Sequence, residues 1–370
     1  MSKKLRVVLI IAFICVLLGI FLFYARLPRI AWSIRTNDSV EHIAAQGDVL
    51  LYLDGDVLFA LRARNGSQLW QRNGVSRFYL AQGAIYAFDG NSFSLSALSL
   101  ADGRELWRIN DIPGVYEITA TDNTIYCVSE GQDGLFLLAL EARDGNDIWR
   151  NSISYKNASS CGILVGDDLL VLYEKKDVLH GQPGLAGLEA STGNVLWSSD
   201  FEITVPPIIV DHQVHFVDSM NNAIIALDAR TGVPVSAAKE IISLDERSCD
   251  SLLDFDSLLL CACNDPEKIF ALDRDTLELR WEHEVKGEVV PKTVSRSGGN
   301  IHFATEKSKN AYLVASYIWS IREVDGHPFW AMRTKWPTHS NIVFHEGLLF
   351  LATRGKGRRV YAYRAPLIRL

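Results

Sequence analysis

Beyond its first thirty residues the chain alternates short apolar runs with polar turns. In one unit Ile163-Leu164-Val165 is followed by Gly166-Asp167-Asp168 and then by Leu169-Leu170-Val171-Leu172-Tyr173. In another, Pro207-Ile208-Ile209-Val210 leads through Asp211-His212-Gln213 into Val214-His215-Phe216-Val217. Apolar runs this short, rich in β-branched and aromatic residues and bounded by turn formers, predict strands and not helices.

The runs repeat. Seven segments align without gaps, beginning at Phe59-Ala60-Leu61, Ser96-Ala97-Leu98, Leu138-Ala139-Leu140, Ala186-Gly187-Leu188, Ile225-Ala226-Leu227, Phe270-Ala271-Leu272 and Trp319-Ser320-Ile321. The middle residue is always small. Ten positions later stands Trp70, Trp107, Trp149, Trp197, Ser236, Trp281 or Trp330, so only Ser236 breaks the rule. Four positions before the Trp lies a turn glycine: Gly66, Gly103, Gly145, Gly193, Gly232 or Gly326, replaced by Leu277 in the sixth copy. Asn-Gly and Asp-Gly are strong hairpin signals, because glycine accepts a positive φ. Each copy reads as strand, tight turn, and strand ending in Trp. The small residue is expected to let a neighbouring sheet approach, and the Trp to fill the gap between sheets.

Two further apolar runs precede each copy, so every unit holds four strands in a meander. The small-residue marks fall 37 to 49 positions apart. That period predicts the blades of a β-propeller. An eighth mark, Tyr361-Ala362-Tyr363, stands near the C-terminus, and its Trp falls due beyond the end of the chain. Trp32, in Ile30-Ala31-Trp32-Ser33-Ile34-Arg35, stands where that Trp is missing. The expected fold is all-β: an eight-bladed propeller of four-stranded antiparallel blades, the last blade closed by the N-terminal strand. Closure removes open sheet edges between first and last blade.

The first thirty residues differ. Val7 to Tyr24 is an uncharged run of 18 residues preceded by Lys3, Lys4 and Arg6. As a helix it spans about 27 Å, close to the thickness of a bilayer core. Phe23-Tyr24-Ala25 is a poor signal-peptide cleavage site, and Cys15 sits in mid-run rather than at a lipoprotein boundary. The segment reads as one uncleaved transmembrane helix, a signal anchor with its N-terminus in the cytoplasm. The expected organisation is a cytoplasmic tail at 1–6, an anchor at 7–24, a short linker at 25–29 and the propeller at 30–370. The propeller would be extracytoplasmic, on the periplasmic side of the inner membrane in a Gram-negative cell.

Charge narrows the choice of partners. The chain has 37 basic and 44 acidic residues, and five of the basic ones lie before residue 31, where there is no acid. Subtracting them leaves 32 against 44, a charge of −12 for the rest. Nucleic-acid binding depends on neutralising phosphates, so it is not expected. Composition, with 48% hydrophobic and 22% charged residues, is that of a globular domain with ample core.

Segments such as Ala97-Leu98-Ser99-Leu100-Ala101-Asp102-Gly103-Arg104-Glu105-Leu106-Trp107 and Ala226-Leu227-Asp228-Ala229-Arg230-Thr231-Gly232 resemble the PQQ-type propeller repeat. Size, blade number and the split last blade resemble the BamB type of that family, the propeller of the outer-membrane β-barrel assembly machinery. WD40 and kelch repeats fit worse, since their Gly-His…Trp-Asp and Gly-Gly marks are missing. The resemblance implies a non-enzymatic, protein-binding propeller in envelope protein assembly or quality control. A transmembrane anchor departs from that family's lipid anchor and favours a partner at the inner membrane.

Quinoprotein dehydrogenases share such blades, but they are longer and carry adjacent cysteines and a calcium site of Glu, Asn and Asp. Here Cys261-Ala262-Cys263 is the nearest approach to a cysteine pair. The nine His are scattered, without zinc-ligand spacing. No catalytic, metal or cofactor residue is therefore assigned, no cofactor is expected, and no small-molecule substrate is identified. The chain is not read as an enzyme. The alternatives are a sensor propeller with a degenerate quinone or small-molecule site in its funnel, and, less favoured, a quinoprotein dehydrogenase.

Cysteines leave a choice open. Cys249 and the Cys261/Cys263 pair flank a hairpin turning at Asp254 to Ser257, which sets Cys249 opposite residue 262 or its neighbours. A cross-strand disulfide of Cys249 with Cys261 or Cys263, and buried free thiols, both suit that geometry. Asn37, Asn65 and Asn157 open N-glycosylation triplets, which arise often by chance. Pro234 and Ser236 in the fifth copy, and long loops at 174–183 and 306–310, mark departures from the repeat where binding could lodge.

Overall fold

The computed structural model describes residues 28–364 apart from 113, 132–133, 154–160, 167, 175–183, 204, 219–222, 236–238, 241–248, 256, 264–266, 310–312 and 335. The anchor segment, the loop at 175–183, Asn157 and Ser236 lie outside the described residues. No helix among the described residues is long and apolar enough to cross a membrane.

Eight antiparallel sheets form. Blade 1 covers residues 43–73, blade 2 77–109, blade 3 114–153, blade 4 161–199, blade 5 208–240, blade 6 249–284 and blade 7 288–334. Blade 8 joins strands from 343–364 to the N-terminal strand Arg29–Arg35. Each is a meander in chain order, innermost strand first, except that Arg29–Arg35 lies outermost on blade 8. Trp32 pairs with Ala362 and Ile34 with Val360. The strand begins at Arg29, within the segment expected to be linker.

Two blades depart from the plain four-strand pattern. In blade 7 the inner strand is split into Glu288–Val289 and Ser295–Ser297 around a 3-10 turn at Pro291–Thr293. Proline has no N–H to give a ladder, so it interrupts the strand. The side-chain hydroxyl of Thr293 donates to the Val290 carbonyl and accepts from the Ala304 N–H, bridging the gap. Blade 7 also corrects the expected loop at 306–310: residues to Lys309 belong to the long strand Asn300–Lys309, paired with Leu313–Arg322. In blade 5 the outer strand is reduced, among the described residues, to Lys239–Glu240 and an isolated bridge between Leu227 and Pro234.

The core lies between blades. Leu51, Leu58 and Ala60 of blade 1 pack with Phe78, Ile85 and Leu98 of blade 2. Seven more such clusters occupy the remaining interfaces, one to each. The cluster joining Ile43, Leu50 and Tyr52 to Phe350, Val360 and Ala362 closes the ring. A single blade cannot bury its two faces, so each is stable only against its neighbours.

Polar clamps reinforce that last interface. The Asn341 amide receives the Ile43 N–H at 2.7 Å and donates to the Ile43 carbonyl at 2.8 Å, imitating a strand. Nε2 of His345 donates to the Gly47 carbonyl at 2.6 Å. Asp54, largely buried, accepts from the backbone N–H groups of Asn37 and Asp38 at 2.6–3.0 Å, pinning the chain as it leaves the closing strand.

Candidate functional site

The inner strands of most neighbouring blades touch one another, lining the central channel of a propeller, which has two mouths. At the first mouth the chain passes from one blade to the next. There a cleft of about 610 Å³ is lined by Asp38, Glu41, His42, Arg77, Tyr79, Tyr116 and Glu117, among others. At the second mouth, where the inner hairpins turn, a cleft of about 650 Å³ is lined by Thr121, Asp122, Asp168, Asp211 and His212 with apolar neighbours.

Each mouth holds charge on a rigid frame. Arg77 donates to the Tyr116 carbonyl at 2.6 Å, and its guanidinium lies 5.9 Å from the Tyr116 ring. A hydrogen bond to Glu130 raises the pKa of Tyr116. His42 lies tilted against Phe78 with centroids 5.0 Å apart, and burial lowers its pKa. At the second mouth, Asp168 and Asp211 are tied to the outer turns of the following blades by Arg230 at 2.6 Å and Arg274 at 2.5 Å. These pairs are exposed enough to count as positioning rather than stability. Among the described residues no three His, Cys, Asp or Glu stand where they could hold a metal ion. The arrangement offers recessed, fixed, mixed-charge surfaces suited to docking.

The repeat residues build the frame. Each Trp lies across from the small residue of its own blade: Trp70 opposite Ala60, Trp107 opposite Ala97, Trp149 opposite Ala139, Trp197 opposite Gly187, Trp281 opposite Ala271 and Trp330 opposite Ser320. The small residue thus makes room for its own Trp, while Ala60, Ala97, Ala139 and Ala271 also lie in the clusters packed against the neighbouring blade. A Cβ on Gly187 would collide with the Trp197 ring.

Each ring then reaches the next blade. The indole N–H of Trp32 donates to Ala63, Trp70 to Leu100, Trp107 to Ala142, Trp149 to Ala190, Trp197 to Ala229 and Trp281 to Glu323, all on carbonyl oxygens at 2.7–3.1 Å. The same rings cover Gly66, Gly103, Gly145, Gly193, Gly232 and Gly326 in that order. These glycines serve twice, once for φ near +70° and once as a seat for the preceding blade's Trp. The sequence showed only the first role. Trp330 packs instead against His302, with centroids 5.9 Å apart.

Leu277 takes the glycine's place in blade 6 at φ +56° and is buried. By the repeat register, the Trp it would seat is the one replaced by Ser236. The two exceptions are one: without an indole to cover it, the turn carries a side chain that fills the interface with Val217, Ile224 and Leu252.

Cys249 pairs with Cys263, and Cys261 with Leu252, in the first hairpin of blade 6. All three are buried, and no disulfide joins them in this structure. Sequence reasoning missed Asp54 and Asn341. Both act across the closure of the ring, and no local motif marks them.

Comparison with known proteins agrees with the architecture. The family model for the outer membrane protein assembly factor BamB matches residues 28–235 and 136–363. BamB from Moraxella catarrhalis superposes with a TM-score of 0.62 at 15% identity, covering 91% of this chain and 100% of that one. A quinohemoprotein alcohol dehydrogenase from Pseudomonas putida also gives 0.62 at 12% identity, over 93% of this chain and 77% of the other. At such identities these likenesses show the fold alone. A curated relative, the serine/threonine-protein kinase AfsK of Streptomyces coelicolor, is 25% identical over 170 residues, 45% of this chain but only 20% of the kinase. With its repeats matched along nearly the whole ring, the chain belongs to the BamB family of PQQ-repeat β-propellers.

Proposed function

We propose that the chain is a non-catalytic scaffold, tethered through residues 7–24 to the outer face of the cytoplasmic membrane, that docks another membrane or envelope protein at the first channel mouth. One geometric observation carries this reading. The closing strand starts at Arg29, next to the anchor segment, and delivers Asn37 and Asp38 to the rim of that mouth. Seven extended residues separate the two ends by about 20 Å. An anchor at Arg29 therefore leaves the cleft lined by Arg77 and Tyr116 on the side away from the membrane. Membership of the BamB family supports a role in envelope protein assembly or quality control. Rigid loops and mixed charge suit protein recognition better than turnover of a small molecule.

The test is site-specific photo-crosslinking of the full chain in its own membranes, with the probe at position 116 in the mouth or at 324 on the opposite face. Discrete adducts from 116, lost in Arg77→Glu, are expected, with none from 324. Adducts from 324 alone, or dye-linked alcohol oxidation that requires added quinone and calcium, would overturn the reading.

A further inference from the structure

We propose that Cys249 is a disulfide-forming residue of blade 6, bonded to Cys263 across the first hairpin, with Cys261 placed to exchange into the same bond. The register sets Cys249 directly opposite Cys263. Directly opposed residues on antiparallel strands have Cα atoms about 4.5–5.5 Å apart, inside the range that a disulfide spans. The ladder slips between Cys249 and Ser251, so Cys249 sits between Cys263 and the next residue on that face, Cys261. Its thiol lies within hydrogen-bonding reach of both sulfurs. All three side chains belong to one apolar cluster between blades 5 and 6. The other described cysteines lie in other interfaces: Cys127 packs between blades 2 and 3 and Cys161 between blades 3 and 4.

The step balances with a small disulfide such as oxidised glutathione. The thiolate of Cys249 attacks it, forming a mixed disulfide and releasing one glutathione thiolate. The thiolate of Cys263 then attacks the Cys249 sulfur, forming the protein disulfide and releasing the second. Two electrons pass to glutathione, and the two thiol protons pass to solvent or to the released thiolates. In the folded chain the Cys249 thiol titrates well above its ordinary range, held protonated by its neighbour Cys261 and by burial. Only thiolate reacts, so the bond is made while the chain folds and is protected afterwards.

The experiment uses the full chain in detergent, both as isolated and after refolding in a glutathione redox buffer, with free thiols alkylated at once. Trypsin releases residues 248–268, holding all three cysteines, as one fragment. A fragment carrying one alkyl group instead of three is expected, and after Asp-directed cleavage the piece holding Cys249 should stay joined to the piece holding Cys261 and Cys263. Cys261→Ser should keep the bond, and Cys249→Ser and Cys249→Ala should lose it. Three alkyl groups after oxidative refolding, or a bond through Cys127 or Cys161, overturn the proposal. A bond present after refolding and missing as isolated supports it and counts instead against an oxidising location for the propeller.

Discussion

The indole N–H of Trp32 donates to the carbonyl oxygen of Ala63 at 2.8 Å, and its ring covers Gly66 of the same turn. A residue next to the N-terminal segment therefore clasps the third and fourth strands of blade 1 while pairing with Ala362 of blade 8. Trp32→Ala removes the ring and the hydrogen bond at the one interface that closes the propeller. The expected loss is about 2–4 kcal/mol, below the range for a fully buried Trp because this ring is half-buried. Ile30→Ser, on the same strand and 58% exposed, should change stability by less than about 0.5 kcal/mol. Urea midpoints of the two variants measure the contrast.

Two glycines separate backbone strain from crowding. Gly47 has φ +55° and open space for 4 Å around the point where a Cβ would stand, whereas Gly103 has φ +69° and a Cβ there would meet the Trp70 ring at 2.7 Å. Gly47→Ala should cost about 1 kcal/mol, the cost of a left-handed non-glycine residue. Gly103→Ala should cost about 2–4 kcal/mol, since displacing the indole adds the overpacking penalty. Equal losses in thermal unfolding would show that the Trp seat contributes nothing.

The ring was legible because its marks are local. A small residue, a turn glycine and a Trp at fixed spacing need no knowledge of the rest of the chain, and the displaced Trp32 stood out by its position. The second duty of each glycine was hidden, because it depends on a ring from the preceding blade some 35 residues away (Gly66 under Trp32, Gly103 under Trp70). The mouth was hidden for the same reason. His42 stands just before blade 1, Arg77 on blade 2 and Tyr116 on blade 3, and they meet only once these blades pack side by side. Asp54 reads locally as a turn residue, yet its partners Asn37 and Asp38 reach it only because the closing strand ends there.

Leu277 tests whether an irregular repeat is a compensated one. Leu277→Gly relieves the strain of φ +56° but empties a buried position in the cluster around Leu252. Relief of about 1 kcal/mol against a loss of about 2–5 kcal/mol for truncating a buried Leu predicts net destabilisation of roughly 1–4 kcal/mol. A stabilised variant in urea unfolding would mean that the side chain does not fill the space left by the missing Trp.

Asn341 carries the closure's polar contact. Asn341→Asp keeps an acceptor for the Ile43 N–H but loses the donor to the Ile43 carbonyl, and Asn341→Ala loses both. Each unsatisfied buried group costs about 1–3 kcal/mol, so Asn341→Ala should destabilise clearly more than alanine substitutions at exposed turn positions of the same blade. Hydrogen exchange at the Ile43 amide should accelerate in the Ala variant and stay slow in wild type. Unchanged protection would remove Asn341 from the closure.

Stability should fall in mild acid because of two buried imidazoles. Burial pushes the pKa of His302 down to about 4, and burial with the nearby Arg274 does the same to His215. In the unfolded chain both return to about 6.5, so between those values the unfolded state binds more protons and stability rises with pH. The contribution is fully present above pH 6.5 and lost progressively down to about pH 4, by roughly 3 kcal/mol for each group at most. Carboxylates held low, such as Asp273 at about 2 through the Thr276 N–H and Arg280, give way only below this window. His302→Phe keeps an aromatic ring against Phe344, whose centroid is 5.0 Å from the imidazole, and removes one titration. Its urea midpoint should depend on pH less steeply than wild type between pH 4.5 and 6.5, with the remaining slope carried by His215 and the other lowered imidazoles such as His42. An equal slope would mean that His302 is hydrated enough to protonate in place.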